Sequence, residues 1–193
     1  MVPAKVRSAT TQSMVVFGSF TLVLLVADLA TKQLAFAKVA GVPIDPANPG
    51  SIPHHDAVVV VPYLLSLKLT TNIGAIFGMG KGWQWLFVAV SIMAIGAILR
   101  IFWRHRSQCN LLHVALAFVL AGALGNLYDR LRYHAVRDML FLFPDVNLPF
   151  GLKWPGGDDQ IYPWIFNVAD ASLLIGVGLL LIISWRKPET SDQ

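Results

Sequence analysis

Four stretches of this chain are long and apolar enough to cross a membrane, and no other feature limits its possible folds as strongly. A spanning helix needs about 20 mostly apolar residues. The qualifying stretches cover residues 14–36, 82–103, 108–129 and 163–185. Of the 193 residues, 55% are hydrophobic and 13% are charged, whereas soluble domains are about 25% charged. We therefore expect an all-α polytopic membrane protein, with residues 1–193 forming a single domain, and we exclude a disordered chain, a coiled coil and most soluble enzymes.

Basic residues near the ends of the spans predict the orientation of the chain. Cytoplasmic loops carry an excess of lysine and arginine. Such residues precede the first span, separate the second from the third, and follow the fourth: Lys5, Arg7, Arg104, Arg106, Arg186 and Lys187. An even number of spans puts all of them on one side, so both termini are predicted to be cytoplasmic. We interpret the net charge of +4 as this topological signal, and we expect no nucleic-acid partner.

The first span also resembles the apolar core of a signal peptide. No small-x-small cleavage site clearly precedes a polar mature sequence, and Asp28 interrupts the apolar run. We therefore expect the span to be retained.

The two loops on the opposite, extracytoplasmic side cover residues 37–81 and 130–162. Residues 41–56 are rich in proline and exclude regular helix. Residues 58–72 are rich in β-branched side chains and predict one or two strands, as a hairpin or a small sheet. Residues 141–162 contain several prolines and glycines and predict an irregular loop.

Polar side chains inside or beside the spans are the candidate functional residues, because ionisable groups at membrane depth are costly. Asp28 and Lys32 are four residues apart, which predicts a charge pair near the outer end of the first span. At the end of the third span and the start of the fourth, residues three or four apart share a helix face: Asn126, Asp129 and Arg130, then Asn167 and Asp170. Gly122 and Gly125 are expected to let another helix approach closely.

Three carboxylates, Asp129, Asp138 and Asp170, are predicted to gather near the outer membrane surface. Two adjacent carboxylates cannot both ionise cheaply, so one keeps a proton, as in aspartic proteases. Spacing alone leaves open whether Asp129 or Asp138 is the partner of Asp170. We expect the guanidinium of Arg130 to hold Asp129 ionised as a structural pair, which favours Asp138.

Other functions explain these residues less well. A polar network that only joins helices accounts for the spacing equally well. A channel or transporter relay should place carboxylates at several depths, whereas these crowd toward one face. His54, His55 and Asp56 lie in the proline-rich loop without a known ligand spacing, so we expect no metal there. The single cysteine, Cys109, excludes an intrachain disulfide, and we assign no role to it or to the two histidines.

Five short motifs, in this order, resemble those of the lipoprotein signal peptidases, also called signal peptidase II. They are Asp28-Leu29-Ala30-Thr31-Lys32, Asn72 to Gly78, Gly125 to Arg130, Val136 to Met139, and Phe166 to Asp170. Each is modest alone, but five in sequence on four spans are highly specific. Met139 stands where the family more commonly has phenylalanine, and the loop between the last two motifs looks longer than usual.

The resemblance implies a membrane aspartyl endopeptidase with a small extracytoplasmic β-cradle, built from the first outer loop. Its catalytic dyad corresponds to Asp138 and Asp170. The implied substrate is a prolipoprotein with a diacylglyceryl group on its signal-peptide cysteine, cut just before that cysteine. Supporting or substrate-binding roles fall to Asn72, Asn126, Asp129, Arg130, Asn167, Asp28 and Lys32. We expect no cofactor, contact with membrane lipid, a monomer, and a location in the bacterial inner membrane.

Overall fold

Four helices of membrane-spanning length form the body of the protein. The computed structural model describes residues 4–39, 48, 52–74, 83–107 and 111–185. The helices are α1 (Ala4–Lys38), α2 (Gln84–His105), α3 (Leu111–Tyr133) and α4 (Val168–Trp185). All four are long and apolar enough to cross a membrane. The predicted four-helix membrane architecture is confirmed.

A four-stranded antiparallel sheet joins the helices at one end. Its strands are β1 (Val58–Val61), β2 (Leu65–Asn72), β3 (Val136–Leu142) and β4 (Ile165–Phe166), hydrogen-bonded in that order. The hairpin expected within residues 58–72 is present as β1 and β2.

The expectation that the first outer loop alone builds the sheet is wrong. β3 follows α3, and β4 directly precedes α4. Residues 136–139 are all buried, so this strand lacks the polar alternation that marks a half-exposed strand in a sequence. His134, with a φ of 59°, turns the chain sharply between α3 and β3.

Two helix boundaries differ from the sequence prediction near the site. α4 begins at Val168 instead of residue 163, because Ile165 and Phe166 pair with β3. α3 continues to Tyr133, beyond residue 129. Asp170 consequently lies in the first turn of α4 and Asp129 inside α3.

α3 is the central helix and contacts each of the other three. More than half of its apolar window, 56%, is buried, against 17% or less for each of the others. A Cβ on Gly122 would meet the backbone oxygen of Ala169, and one on Gly125 would meet the carboxylate of Asp28. The expected close approach at these two glycines is thus present, with α4 and α1.

The second outer loop is irregular after β3, apart from a 3-10 turn at Pro149–Gly151. Backbone hydrogen bonds connect its two sides, from Leu148 to Asp159 and from Ile161 to Val146. Several sequence interpretations concern residues outside those described: most of the proline-rich segment 41–56, the end of the motif at residues 72–78, Cys109, Arg186 and Lys187.

Candidate active site

Asp138 and Asp170 line the same cavity, of about 670 Å³, enclosed by α2, α3, α4 and the sheet. Asp138 comes from β3 and Asp170 from the first turn of α4. Most of the remaining lining is apolar, including Phe87, Val90 and Leu173. The cavity therefore offers an apolar slot with two carboxyl groups at its wall.

The N-terminus of α4 holds Asp170 in place through a capping box. The backbone N–H of Asp170 donates to Oδ1 of Asn167 at 2.9 Å. In return, the backbone N–H of Asn167 donates to Oδ2 of Asp170 at 3.2 Å. Reciprocal bonds over this spacing satisfy two backbone donors at a helix start. Asn167 and Asp170 are three residues apart because this turn requires it, and the second carboxylate oxygen remains available.

Two asparagine amides connect the carboxyl groups to each other and to the helices. Asn167 donates from Nδ2 to Oδ1 of Asp138 at 2.6 Å. Asn126 donates from Nδ2 to Oδ1 of Asp170 at 2.8 Å, while its own Oδ1 accepts from Nζ of Lys32 at 3.2 Å. Because an ammonium only donates, Lys32 fixes the orientation of the Asn126 amide. The NH₂ group of Asn126 must then face Asp170.

Burial favours the neutral form of Asp138, which is only 4% exposed. Desolvation raises its pKa to about 8, with a further contribution from the negative charge of Asp170 and an opposing one from the Asn167 amide. At neutral pH this carboxyl group therefore keeps its proton. A protonated acid beside a second carboxyl group is the arrangement that acid–base hydrolysis of a peptide bond requires.

Asp129 belongs to a separate, fully buried ion-pair cluster. Its Oδ1 lies 2.8 Å from Nη2 of Arg137, and its Oδ2 lies 3.2 Å from Nζ of Lys32. The backbone N–H of Arg137 also donates to Oδ2 at 3.0 Å. The expected structural pairing of Asp129 is present, but the expectation that Arg130 is its partner is wrong. Neighbours on a helix point about 100° apart, so Arg130 faces away from Asp129.

The predicted pair between Asp28 and Lys32 is present, at 2.8 Å. Asp28 is 1% and Lys32 0% exposed, so the pair lies between helices and away from lipid. Oδ1 of Asp28 accepts the backbone N–H of Ala169 at 2.8 Å. A charge on α1 thereby anchors the first turn of α4, directly beside Asp170.

The two other predicted supporting residues, Arg130 and Asn72, both line the cavity. The guanidinium of Arg130 lies over the ring of Phe87 at 5.4 Å. Asn72 ends β2 and accepts the backbone N–H of Gly74 through Oδ1 at 3.0 Å. Among the described lining residues, Arg130 is the only lysine or arginine.

Sequence reasoning assigned no role to Arg137, Tyr162 or Trp164. A buried arginine directly beside Asp138 in an apolar strand was the available signal for Arg137, because adjacent strand residues point to opposite faces. Tyr162 and Trp164 line the cavity from the outer loop, and their rings pack 5.2 Å apart. Burial, and secondarily Asp170, raises the pKa of Tyr162, which keeps its hydroxyl available as a donor.

His55 has a structural contact. Its Nε2 accepts the backbone N–H of Leu69 at 2.9 Å, where the register between β2 and β3 shifts. Among the described residues, no group of three or more histidine, cysteine or acidic side chains is placed to hold a metal ion.

The spanning helices and the paired carboxyl groups define a polytopic membrane enzyme with a hydrolase-like site. A family model described as signal peptidase (SPase) II matches residues 20–186. The chain belongs to this family, whose members are aspartic-class peptidases that remove signal peptides from prolipoproteins. It is accordingly a multi-pass protein of the bacterial inner membrane.

Individual relatives agree with this assignment. A lipoprotein signal peptidase of Symbiobacterium thermophilum is 37% identical over 128 residues, 66% of this chain and 75% of the relative. One of Latilactobacillus sakei is 38% identical over 134 residues, 69% of this chain and 78% of the relative. A bacterial membrane enzyme solved by the in meso method is 27% identical, with a TM-score of 0.65 over 92% of this chain and 94% of its own.

Proposed function

We propose that the protein cleaves diacylglyceryl-modified prolipoproteins just before the lipidated cysteine, with Asp138 and Asp170 as its catalytic dyad. The observation that supports the dyad is that both carboxyl groups line one cavity and each accepts an asparagine amide. Asp129, the alternative partner, is fully buried and committed to Arg137 and Lys32.

In the proposed reaction the two carboxyl groups have different tasks. The Asp170 carboxylate takes a proton from water, and the water oxygen attacks the scissile carbonyl carbon. Protonated Asp138 donates to the carbonyl oxygen, which becomes the oxyanion. When the carbon–nitrogen bond breaks, a proton passes from the dyad to the leaving amine. Each step moves a proton between groups within hydrogen-bond reach.

The shape of the cavity suits a lipid-bearing peptide. Its apolar lining continues along α2 and α4, through Val90, Ala94, Leu174 and Val177. Acyl chains or the apolar signal peptide buried there would contribute about 0.8 kcal/mol per methylene. We propose that Arg130 and Asn72, at the polar end, contact the substrate near its scissile bond, and that membrane lipid surrounds a monomeric enzyme.

Cleavage of purified prolipoprotein tests this function. The full-length protein should shorten a diacylglyceryl-modified precursor by its signal peptide, and mass spectrometry should find the lipidated cysteine at the new N-terminus. The same precursor without the lipid is the control and should react far more slowly. Equal rates for the two precursors would contradict the proposed substrate, and cleavage elsewhere would contradict the proposed scissile bond.

A further inference from the structure

A second hollow, of about 770 Å³, lies at the other end of α2 and is lined by Gly96, Leu99, Arg100, Trp103, Arg104 and Arg106. The first residue of α2, Gln84, donates to the backbone oxygen of Arg130 at the candidate active site. A helix rises 1.5 Å per residue, so the arginines lie roughly 25–30 Å further along α2. The hollow is therefore on the opposite membrane surface from the dyad.

Positive charge is concentrated in this hollow. Arg100 and Arg104 are one helical turn apart, and both are exposed. None of the three salt bridges found among the described residues involves Arg100, Arg104 or Arg106. Like charges one turn apart repel, so an anion between them would stabilise the arrangement.

Arg106 and Trp103 shape the hollow at the helix end. Nη1 of Arg106 donates to the backbone oxygen of Trp103 at 2.6 Å, and its guanidinium lies 5.1 Å from the indole centroid. The arginine thus folds back over the helix end. A general excess of cytoplasmic charge does not require this geometry. Tryptophan with arginine is typical of the level of lipid headgroups.

The apolar side of the hollow can accept part of a lipid tail. A Cβ on Gly96 would meet nothing within 4 Å, so this glycine leaves a notch beside Leu99 on the outer face of α2. The notch lies on the membrane side of the arginines, one turn before Arg100. A ligand with a phosphate and an attached apolar chain matches both parts.

We propose that this hollow binds the headgroup of an anionic phospholipid, with the phosphate between the guanidinium groups and an acyl chain along Gly96 and Leu99. Guanidinium pairs bind phosphate oxygens with directed, charge-assisted hydrogen bonds. Basic pockets at the cytoplasmic side of membrane helices are recognised sites for such headgroups.

The test is native mass spectrometry of the full-length protein, titrated with phosphatidylglycerol and with phosphatidylcholine of equal chain length. Each basic residue contributes about fivefold to binding at an anionic surface. Arg100→Gln/Arg104→Gln should therefore weaken phosphatidylglycerol binding about 30-fold, with little change for phosphatidylcholine. Arg100→Lys/Arg104→Lys keeps the charge and membrane orientation and should lose only part of the affinity, because lysine lacks the planar fork.

Two controls make the result decisive. Arg132→Gln/Lys153→Gln removes the same charge from the other end of the molecule and should leave lipid binding unchanged. Glycerol phosphate, which lacks acyl chains, should compete only weakly. An equal loss in the control double variant, no preference for the anionic lipid, or full competition by glycerol phosphate would each overturn the proposal. Prolipoprotein cleavage in detergent verifies that every variant is folded.

Discussion

Three aspartates near one membrane surface have different surroundings, and these surroundings suggest different roles. Asp129 faces two cations and is fully buried. Asp138 faces an amide and the cavity, while Asp170 belongs to the cap of α4 and also faces the cavity. A carboxylate between two cations stays ionised and structural. The other two have free space in front of them.

Asp138→Asn and Asp170→Asn should each lower single-turnover cleavage roughly a thousandfold or more, in protein that still folds. The double variant should be little worse, because the pair acts as a unit. Asp129→Asn should mainly lower the melting temperature and keep measurable turnover in the folded fraction. Asp145→Asn, on an exposed part of the outer loop, is the matched control. Near-normal turnover of Asp138→Asn together with a folded, inactive Asp129→Asn would refute the assignment.

The protonation of Asp138 predicts how activity depends on pH. Its pKa of about 8 means that the acid form dominates below that pH. As the pH rises through about 8, the dyad loses the proton that it must donate, and kcat/KM should fall about tenfold per further unit. Cleavage rates at low substrate between pH 6 and 10 measure this, with the melting temperature as a check on folding. A flat profile up to pH 10 would argue against a protonated Asp138.

Lys32→Ala should affect stability more than chemistry. Lys32 contacts Asp28, Asp129 and Asn126, and its loss leaves buried charge uncompensated, at a cost of about 3–5 kcal/mol. Melting in detergent and turnover of the folded fraction measure the two effects separately. Lys38→Ala, an exposed lysine on the same helix, should change neither. A normal melting temperature with abolished turnover would instead make the Asn126 amide orientation the main role of Lys32.

At the scale of elements, close packing of α4 against α3 determines where Asp170 lies. α4 approaches α3 at Gly122 near the site and, deeper in the membrane, at its own Gly176. Both contacts involve backbone atoms, which cannot move aside as a flexible side chain can.

Gly176→Ala and Gly178→Ala form a matched pair on α4. A Cβ at Gly176 would lie 2.6 Å from Cγ2 of Val119 and 2.9 Å from the backbone oxygen of Ala115, whereas one at Gly178 would meet nothing within 4 Å. Gly176→Ala should cost about 1–3 kcal/mol through overpacking. Gly178→Ala should be neutral or stabilising by up to about 1 kcal/mol. Melting in one detergent compares them, and equal melting temperatures would refute this helix contact.

At the scale of the whole molecule, the four helices and the sheet at one end predict a definite membrane orientation. With both termini cytoplasmic, the sheet and the dyad lie at the extracytoplasmic surface. A reporter fused after Gln193 should be active only if it functions in the cytoplasm. One inserted at Gly156-Gly157 should show the opposite behaviour. An extracytoplasmic C-terminus would contradict both the orientation and the location of the proposed site.

The four spans, the β1–β2 hairpin and the Asp28–Lys32 pair were accessible from the sequence, because each depends on local composition or on spacing within one element. The Asn–Asp spacing in α4 was equally visible, since a helix cap is a local structure. The resemblance to the family added the likely partner of Asp170 without any coordinates.

Only the tertiary structure decided which distant groups meet. Asp129 pairs with Arg137 and Lys32 instead of its neighbour Arg130, because helix geometry turns adjacent side chains apart while β3 and α1 bring other cations to it. The sheet takes β3 and β4 from the second outer loop, since strand pairing depends on which edges lie together in space. The sequence by itself determined the elements and their chemistry, and packing between elements determined their partners, because long-range contacts leave no periodic signal in a single chain.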